Sequence, residues 1–460
     1  MPLSDRSSGQ FPESSPLLPL PGIDGPALGE ALAWLDRHVN LEAIESGRAG
    51  ALGVPGFERI DAILAALGDP QRNYPTLHVT GTNGKGSTTR ICAKLLEAQG
   101  LSVGVYTSPH LERVNERLTV GDTEISDEEL VAILGTLAEL ERFLDVRATW
   151  FELVTAAALT WFAEMAVDVA VVEVGLGGRY DSTNVVNGEV TVVTNVDLDH
   201  TEILGTTRRA IADEKAGIVK PGSVLVLGEP DPELVTIFEA EAARVGAAAV
   251  WHRGIDFGCS TNRLAVGGRV VDLWTPLGRY PEVFLPLHGA HQADNAACAV
   301  AAAQAFVGSP LSDDVVTSAL SSVRMPGRLE VVRRRPIVLL DGAHNAAGAA
   351  ALAGALAEDF LAAQRVFVVL GCLRGRDPAG LLAPLGVNRV ARVITCRPPS
   401  PRAQDPEDVA AAADALGLDA EASGTTAEAI DQALQLAGPD DLVLVTGSLY
   451  VVGAARGVLV

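Results

Sequence analysis

Short runs of consecutive apolar residues alternate with segments of helical apolar spacing along most of the chain. In the first two thirds the runs are TLHVT, SVGVYTS, VDVAVVEVG, EVTVVTNV and GSVLVLG. Their Val-rich, non-alternating composition is typical of parallel strands covered on both faces. The segments with helical character are PALGEALAWLDRHVN, FERIDAILAALG, RICAKLLEAQG and the Ala-rich QADNAACAVAAAQAF. The pattern therefore predicts an α/β domain with a mostly parallel sheet.

A second alternation of strands and helices begins after MPGRLE. It comprises PIVLLDGAHN, AAGAAALAGALAEDF, RVFVVLGCL, ARVITC and LVLVTGS. Between the two patterns, from about Trp251 to Pro286, shorter β-like pieces predict a β-rich appendage to the first domain. A chain of 460 residues suits two cores. We expect a disordered Pro- and Ser-rich tail at 1–25, a first domain at 26–325 and a second at 326–460, with the connection between Val323 and Pro336.

Composition narrows the class of protein. The chain is 48% hydrophobic and 20% charged, which suits a soluble protein, and no long apolar run predicts a membrane helix. The start does not resemble a signal peptide, and the five scattered cysteines form no CxxC pair, so we expect a cytoplasmic protein. The net charge of -23 argues against nucleic acid as a partner. Any anionic ligand must then be held by local positive charge or by metal.

The sharpest local signal is TGTNGKGST, Thr80 to Thr88, between a predicted strand and a predicted helix. Small residues there let backbone N–H groups surround phosphate oxygens, and Lys85 can neutralise the β- and γ-phosphates. The match to GxxxxGK[ST] is imperfect, because Val79 takes the first Gly position and Gly86 separates Lys85 from Ser87. The segment still predicts a phosphate loop rather than a chance Gly-rich turn.

Other candidate residues stay ambiguous on sequence alone. Glu173 ends an apolar strand, where a carboxylate can hold Mg²⁺ or form an ordinary salt bridge. His200 follows another strand end, after Asp197 and Asp199, and a lone His is more often structural. An isolated lysine such as Lys215 is usually a solvated surface charge, and its spacing in the sequence indicates no other role. Arg328, at the domain connection, can reach phosphate across a cleft or merely tie the linker.

Ten motifs in order resemble the folylpolyglutamate synthase/dihydrofolate synthase family, within the Mur ligase superfamily. They run from about Phe57 to Gly453: HVTGTNGKGS, YTSPHLERVNERL, TWFELVTAAAL, VVEVGLGGRYDSTN, LDHTEILGTT, IADEKAGIVKPG, HQADNAA, MPGRLE, DGAHN and TGSLYVVG. The resemblance implies an α/β fold, with an N-terminal P-loop parallel-sheet ATPase domain and a smaller, Rossmann-like C-terminal glutamate-ligase domain. It implies ATP-dependent addition of L-glutamate to dihydropteroate, to tetrahydrofolate-type folates, or to both, through an acyl phosphate. Two Mg²⁺ ions and a monomeric enzyme are expected.

The resemblance also implies roles for individual residues. For ATP they are Gly84, Lys85, Gly86, Ser87, Asn295, Arg328 and Asp341, and for Mg²⁺ they are Ser108, Glu173 and His200. For pteroate or folate they are Val54, Pro55, Gly56, Thr149, Trp150, Phe151, Glu152, Tyr180, Asp181 and Ser182. His344 and Ser448 are implied near the incoming glutamate. We expect Lys85, Lys215 and His344 to act in catalysis. The resemblance implies that Lys215 is carbamylated, and His344 can assist as a base because the attacking amine must be neutral.

The sequence departs from the family pattern in places. Gly53-Val54-Pro55 replaces a short acidic or leucine segment, Trp150 stands where smaller aromatics are frequent, and GCLRGRDP replaces an acidic-lysine version. These departures bear on substrate preference. One alternative is a ligase of peptidoglycan precursors, which carries a whole domain before its phosphate loop; here about eighty residues precede it. Another alternative is a nucleotide-binding regulatory module that has lost catalysis. The presence of all the residues expected for catalysis and metal binding disfavours it, namely Lys85, Glu173, His200 and Lys215.

Overall fold

The computed structural model describes residues 27–40, 56–144, 146–386 and 388–460. Within these ranges, the first domain is built on a sheet of eight strands in the order β4-β3-β2-β5-β1-β6-β7-β8. The strands are β1 Thr76–Thr80, β2 Val103–Tyr106, β3 Leu118–Val120, β4 Thr123–Glu124, β5 Val169–Glu173, β6 Gly188–Val193, β7 Val224–Leu227 and β8 Ala249–His252. Strands β2, β5, β1, β6, β7 and β8 are parallel, and β3 and β4 add an antiparallel edge. The five apolar runs of this domain all form strands, as the pattern predicted. The predicted tail at 1–25 lies outside the described residues.

Helices cover both faces of this sheet. They are α1 Ala27–Leu35, α2 Glu58–Ala66, α3 Lys85–Ala98, α4 Asp127–Leu144, α5 Trp150–Glu164, α6 Thr201–Leu204, α7 Arg208–Ala216, α8 Pro232–Val245, α9 His291–Val307 and α10 Asp313–Ser322. Residues of α3, α9 and α10 share one apolar core with the sheet, and residues of α1, α2, α4 and α5 form another. Because both faces of the sheet are buried, successive strand residues are apolar and the strands appear in the sequence as unbroken apolar runs.

The predicted β-rich appendage is present in the described chain as a three-stranded antiparallel sheet. Its strands are β9 Gly258–Ala265, β10 Gly268–Thr275 and β11 Gly278–Leu285, with β10 in the centre. Val271, Leu273 and Val283 from this sheet enter the core around α3 and α9. The appendage is therefore packed into the first domain and does not form a separate unit.

The second domain contains, among the described residues, a six-stranded sheet in the order β12-β13-β17-β14-β15-β16. Its strands are β12 Glu330–Arg334, β13 Ile337–Leu340, β14 Val366–Leu370, β15 Val390–Arg397, β16 Ala420–Thr425 and β17 Leu442–Thr446. Its helices are α11 Ala346–Glu358, α12 Pro378–Leu382, α13 Pro406–Ala415, α14 Thr426–Leu436 and α15 Leu449–Leu459. Only β12 within this sheet runs antiparallel to its neighbour. The expected smaller α/β domain is confirmed.

The segment between α10 and β12 connects the two sheets. It holds Met325 to Arg328, the centre of the MPGRLE motif. A boundary at 325/326 falls inside this connector and stays a prediction. In the part of the chain that the structure describes, no helix has the length and apolarity needed to cross a membrane.

Candidate active site

The phosphate loop lies between β1 and α3, at the carboxyl edge of the first sheet. Gly84 caps α3 with φ +82°, and Gly81 has φ +153°. These are backbone conformations that favour glycine. A Cβ on Gly84 would lie 2.3 Å from Asn295 Oδ1, and one on Gly81 would lie 1.8 Å from Thr194 Oγ1. The loop can hold this shape only with glycine at both positions.

A second loop, which follows β6, fixes the phosphate loop in place. Asn195 Oδ1 accepts from the Asn83 N–H at 3.0 Å, and Asn195 Nδ2 donates to the Asn83 carbonyl at 3.0 Å. Thr194 Oγ1 donates to the same carbonyl at 2.6 Å, and Thr82 Oγ1 bonds the backbone of Asp197. The loop is thus rigid before any ligand binds, which favours binding of an anion by fixed N–H groups.

Two lysines converge on the phosphate loop. Lys85 Nζ donates to the Gly81 carbonyl at 3.2 Å and the Thr82 carbonyl at 3.4 Å, and Lys215 Nζ donates to the Gly81 carbonyl at 2.8 Å. Lys215 is 3% exposed. Burial, and then the nearby Lys85 ammonium, lowers the pKa of Lys215 to about 7. The alternative that Lys215 is a solvated surface charge is therefore wrong.

Glu173 ends β5 directly beside the phosphate loop. It is 4% exposed, and its Oε2 accepts from the Ser108 N–H at 3.1 Å. Burial raises the pKa of Glu173, against the opposing effect of Lys85. Within the described ranges Glu173 forms no direct ion pair, so the salt-bridge alternative finds no support. A desolvated carboxylate without a bonded cation is a suitable oxygen ligand for a hard metal ion.

His200 adopts a left-handed backbone conformation, φ +49°, at the start of α6. It faces the same cavity as Glu173. Burial lowers the pKa of His200 to about 4, although Asp199 acts in the opposite direction. The imidazole is consequently neutral at physiological pH and able to act as a ligand. No group of three or more His, Cys, Asp or Glu side chains suited to a metal occurs among the described residues. A site of Glu173, Ser108 and His200 leaves positions for water and phosphate oxygens, which fits Mg²⁺.

The second domain presents the DGAHN loop, after β13, to the same space. Asp341 accepts from the N–H groups of Leu329 and Ala343, each at 2.9 Å. These bonds join the connector to the loop, and burial raises the pKa of Asp341. His344 Nδ1 lies 2.8 Å from the Gly342 carbonyl. The DGAHN loop is thereby fixed to the connector.

Asp199 joins the two domains. Its carboxylate pairs with Arg376, accepts from Asn345 Nδ2 at 2.9 Å and lies 3.5 Å from His344 Nε2. Asn345 Nδ2 also lies 3.2 Å from Asn83 Oδ1 in the phosphate loop. Burial acts to raise the pKa of Asp199, but His344, His200 and Arg376 together hold it well below its usual range. We call Asp199, Arg376, His344, Asn345 and Asn83 the interdomain clasp.

A cavity of about 490 Å³ lies between the domains at this point. The sequence-predicted residues that line it are Gly84, Lys85, Gly86, Ser87, Ser108, Glu173, His200, Lys215, Asn295, Arg328, Asp341 and His344. They come from both sheets and from the connector. The structure thus brings together every residue expected for ATP, metal and catalysis.

The residues expected for pteroate do not line this cavity. Thr149 caps α5 and forms a capping box with Glu152, which also binds Arg59. Trp150 is buried beneath the Arg117 guanidinium, 4.6 Å from its ring centre, whereas Tyr180 is 51% exposed. The other residues expected for pteroate have local structural roles. Asp181 accepts from the backbone N–H groups of Leu176 and Thr183, and Ser182 begins a short helical turn. Gly56 precedes α2. Val54 and Pro55 lie outside the described residues.

Phe151 connects the predicted pteroate segment to the cavity. A Cβ on Gly175 would lie 2.4 Å from Phe151 Cζ, and Gly175 lines the cavity. Ser448, expected near glutamate, is buried and caps α15 by accepting from the Val451 N–H at 3.3 Å. These expectations stay predictions.

Several residues at the site were missed or left undecided by sequence reasoning. Asn83, Asn195 and Asn345 had no motif that assigned them a role, and Arg376 was known only as part of a departure from the family pattern. Arg208 and Arg253 also line the cavity. Arg208 pairs with Glu229 and Asp231, and Arg253 pairs with Asp294, so these two charges are balanced within the protein. Lys85 and Arg328 provide the local positive charge that an acidic chain needs to bind anions.

Comparison with known proteins agrees with this arrangement. Residues 79–303 match the Mur ligase middle domain, and residues 327–449 match the Mur ligase, glutamate ligase domain. A dihydrofolate synthase/folylpolyglutamate synthase from Mycobacterium tuberculosis is 39% identical over 439 residues, covering 87% of this chain and 89% of that protein.

Two solved structures are similar over nearly the whole chain. Mycobacterium tuberculosis folylpolyglutamate synthase complexed with ADP and AMPPCP has a TM-score of 0.86 at 37% identity, covering 94% of this chain and 98% of that one. A bifunctional folylpolyglutamate synthase/dihydrofolate synthase from Yersinia pestis, complexed with AMPPNP and Mn ion, has a TM-score of 0.81 at 32% identity, covering 94% and 98%. Sequence motifs, cavity and both comparisons agree, and this chain belongs to the dihydrofolate synthase/folylpolyglutamate synthase family of Mur-type, ATP-dependent ligases.

Proposed function

We propose that this chain joins L-glutamate to dihydropteroate, to tetrahydrofolate-type folates, or to both, by way of an acyl phosphate. The observation that carries the proposal is one cavity in which the phosphate loop and Glu173 face Arg328 and His344 of the connector and second domain. The similarity to folate enzymes over nearly the full chain favours this substrate class over a peptidoglycan precursor.

ATP is the co-substrate in this proposal, with its phosphates on the loop from Gly84 to Ser87. The N–H groups at the start of α3 and the Lys85 ammonium would bind the β- and γ-phosphates. Asn295 lies against Gly84, and Arg328 borders the cavity from the other domain. Nucleotide complexes of two relatives support this placement.

Ser108, Glu173 and His200 would hold Mg²⁺ beside those phosphates. The Mn ion of the Yersinia pestis relative supports a divalent metal. A bound ion would supply charge neutralisation to the phosphates during phosphoryl transfer. We propose two ions, with a carbamylated Lys215 near the second. The pKa of Lys215, about 7, provides the neutral amine that carbamylation requires.

The first step brings two anions together, because the substrate carboxylate attacks the γ-phosphorus and ADP leaves. Lys85 and Arg328 lower that repulsion and stabilise the transferred charge. The amine of glutamate then attacks the acyl carbon, and phosphate leaves. Enclosure between two domains protects the acyl phosphate from water.

His344 and Ser448 are proposed near the incoming glutamate. Both ring nitrogens of His344 face acceptors, the Gly342 carbonyl and the Asp199 carboxylate. These contacts fix the orientation of the ring beside the space proposed for glutamate. Action of His344 as a base toward the glutamate amine requires Nε2 to turn away from Asp199.

The proposal extends to the state of the enzyme. A monomeric enzyme, as the family resemblance implies, is part of the proposal. The five cysteines, all within the described ranges, are free thiols, which suits a reducing cytoplasm.

The test is a ligation assay with purified protein, ATP, Mg²⁺ and labelled glutamate, offered dihydropteroate or tetrahydrofolate separately. We expect labelled product and stoichiometric ADP with at least one acceptor, and neither with the Lys85→Ala variant. Turnover by Lys85→Ala at the wild-type rate, or no product with either acceptor, would overturn the proposal.

A further inference from the structure

A second chamber of about 380 Å³ adjoins the active-site cavity. The two share Gly86, Ser87, Ser108, Glu173 and Arg328 in their walls. The shared wall is the place where the proposed γ-phosphate and the attacking carboxylate must meet. A substrate whose carboxylate is activated there has room to extend into the second chamber.

Most charged groups of this chamber already have partners. Glu116 accepts from three N–H groups, those of Leu111, Glu112 and Arg113. Arg456 pairs with Glu112 and with Glu330.

Two further pairs complete this set. Asp122 pairs with Lys94, and Arg113 pairs with Asp127. The exposed Glu124 lies at the rim. Apart from Glu124, these charged groups have partners within the protein and do not require a ligand.

Arg90 differs from them. It lies on α3, five residues after Lys85, and it is half-buried in the chamber wall. Among the residues that the structure describes, no acidic side chain or carbonyl bonds its guanidinium. Its charge acts at a distance to lower the pKa of Glu173, against the effect of burial. A partly desolvated guanidinium with no directly bonded anion is well suited to bind one. Arg328 likewise has no direct ion pair in the described part of the chain, but its charge acts on Asp341 and Glu173. It also borders the nucleotide cavity, whereas Arg90 lines the second chamber alone.

The two candidate acceptors differ in the charge that they bring here. Dihydropteroate has one carboxylate, which becomes the acyl phosphate. A folate has a glutamyl group with two carboxylates, and one stays anionic while the other is activated. That remaining carboxylate enters a partly desolvated chamber and needs a cation.

We propose that Arg90 binds the glutamyl carboxylate of a folate that is not being activated, and so favours folates over dihydropteroate as acceptors. The inference rests on the proposed function and assigns one residue to the choice of acceptor. Arg90 is well placed for this role because it lies beyond the shared wall, on the side away from the nucleotide.

The test compares Arg90→Gln with the wild type on both acceptors. We expect kcat/KM for tetrahydrofolate to fall by roughly 10- to 100-fold, mostly through KM, because a charged hydrogen bond is lost. With dihydropteroate, kcat/KM should change by less than about 3-fold. Arg90→Lys, which keeps the charge, should recover part of the loss, and thermal melting confirms that each variant is folded. Arg72→Gln is the matched control, because Arg72 is exposed and lines neither cavity. It should leave the ratio of kcat/KM for the two acceptors unchanged.

A tetrahydrofolate whose free glutamyl carboxylate is an amide completes the test. For the wild type, kcat/KM with this analogue should fall as far as kcat/KM of Arg90→Gln falls with tetrahydrofolate. For Arg90→Gln, replacing tetrahydrofolate by the amide should lower kcat/KM little further. The inference would be overturned if Arg90→Gln lowered kcat/KM equally for both acceptors. It would also be overturned if the amide lowered kcat/KM of Arg90→Gln as much as it lowers that of the wild type. A wild type that ligates dihydropteroate but not tetrahydrofolate would overturn it while leaving the proposed function intact. No turnover with either acceptor is failure of the proposed function itself.

Discussion

At the scale of single residues, the phosphate loop depends on backbone conformations and close approaches that only glycine permits. Gly84 has both constraints, a positive φ and a neighbouring Asn295. Gly100, at the other end of α3, has φ +88° and open space around it. Substitution at Gly100 therefore measures the free-energy cost of the left-handed conformation alone, whereas substitution at Gly84 adds the clash with Asn295.

We expect Gly84→Ala to abolish nucleotide binding, because the new Cβ displaces Asn295 and opens the loop. Gly100→Ala should cost only the left-handed conformation, about 1–2 kcal/mol of stability, with nucleotide affinity unchanged. Calorimetric titration with ADP and chemical denaturation measure the two effects. Normal ADP affinity in a folded Gly84→Ala variant would contradict the close contact.

Lys215 is a buried amine whose chemistry arginine cannot replace. We expect Lys215→Arg to be nearly inactive, because a guanidinium stays charged and does not take up CO₂. Lys220→Arg is the matched control, since Lys220 also donates to a carbonyl, that of Asn184 at 2.9 Å, and lies outside the cavity. An active Lys215→Arg enzyme would return Lys215 to a structural role.

The proposed carbamate also predicts a dependence on CO₂ and pH. Carbamylation uses the neutral amine, and the pKa of Lys215 is about 7. Activity should fall after removal of CO₂ and recover with bicarbonate above pH 7, and the recovery should be lost as the pH falls below about 7, where the amine is protonated. Labelling with ¹³C-bicarbonate measures the adduct directly.

At the scale of elements, α5 places the predicted pteroate segment through its N-terminal cap. The Glu152 N–H donates to Thr149 Oγ1 at 3.2 Å, and Glu152 Oε2 accepts from the Thr149 N–H at 2.6 Å. The cap determines where Trp150 and Phe151 lie, and Phe151 contacts the wall of the cavity at Gly175. A change in the cap should therefore affect both stability and substrate binding.

Thr149→Ala should lower the free energy of unfolding by about 1 kcal/mol and raise KM for the pteroate acceptor more than KM for ATP. Ser312→Ala removes the comparable cap of α10, where Ser312 accepts from the Val315 N–H at 3.3 Å. It should cost similar stability without a change in either KM. Denaturant titration and steady-state kinetics distinguish the two variants, and equal kinetic effects would remove the positioning role of α5.

At the scale of the whole molecule, the interdomain clasp ties the phosphate loop to the second domain. The Asp199 carboxylate contacts three side chains of that domain, those of Arg376, Asn345 and His344. Asn345 also hydrogen-bonds Asn83 in the phosphate loop. Breaking the clasp should separate the domains without unfolding either one. Each domain keeps its own apolar core.

We expect Asp199→Asn and Arg376→Gln each to lower kcat by roughly 10- to 100-fold and to increase the radius of gyration in solution scattering. The double variant should be little worse than either single variant, because both remove the same contact. Asp377→Asn is the control in the same loop, since the Asp377 carboxylate accepts from the Ala379 N–H at 3.0 Å, within its own domain. Additive losses in the double variant would contradict coupling through one ion pair.

The strands, the β-rich appendage, the phosphate loop and the family follow from the sequence alone, because they depend on local composition and on motif order. Apolar runs such as VVEV form buried strands wherever both faces are covered, and GTNGKGS makes its turn through its own glycines. The sequence could not decide whether Glu173 is ion-paired, whether Lys215 is solvated, or what Arg376 binds, because these depend on groups far along the chain. Lys215 is buried against the Gly81 carbonyl, 134 residues away, and Arg376 pairs with Asp199, 177 residues away. Burial and pairing at such separations are properties of the packed domains, so only the tertiary structure could place these charges.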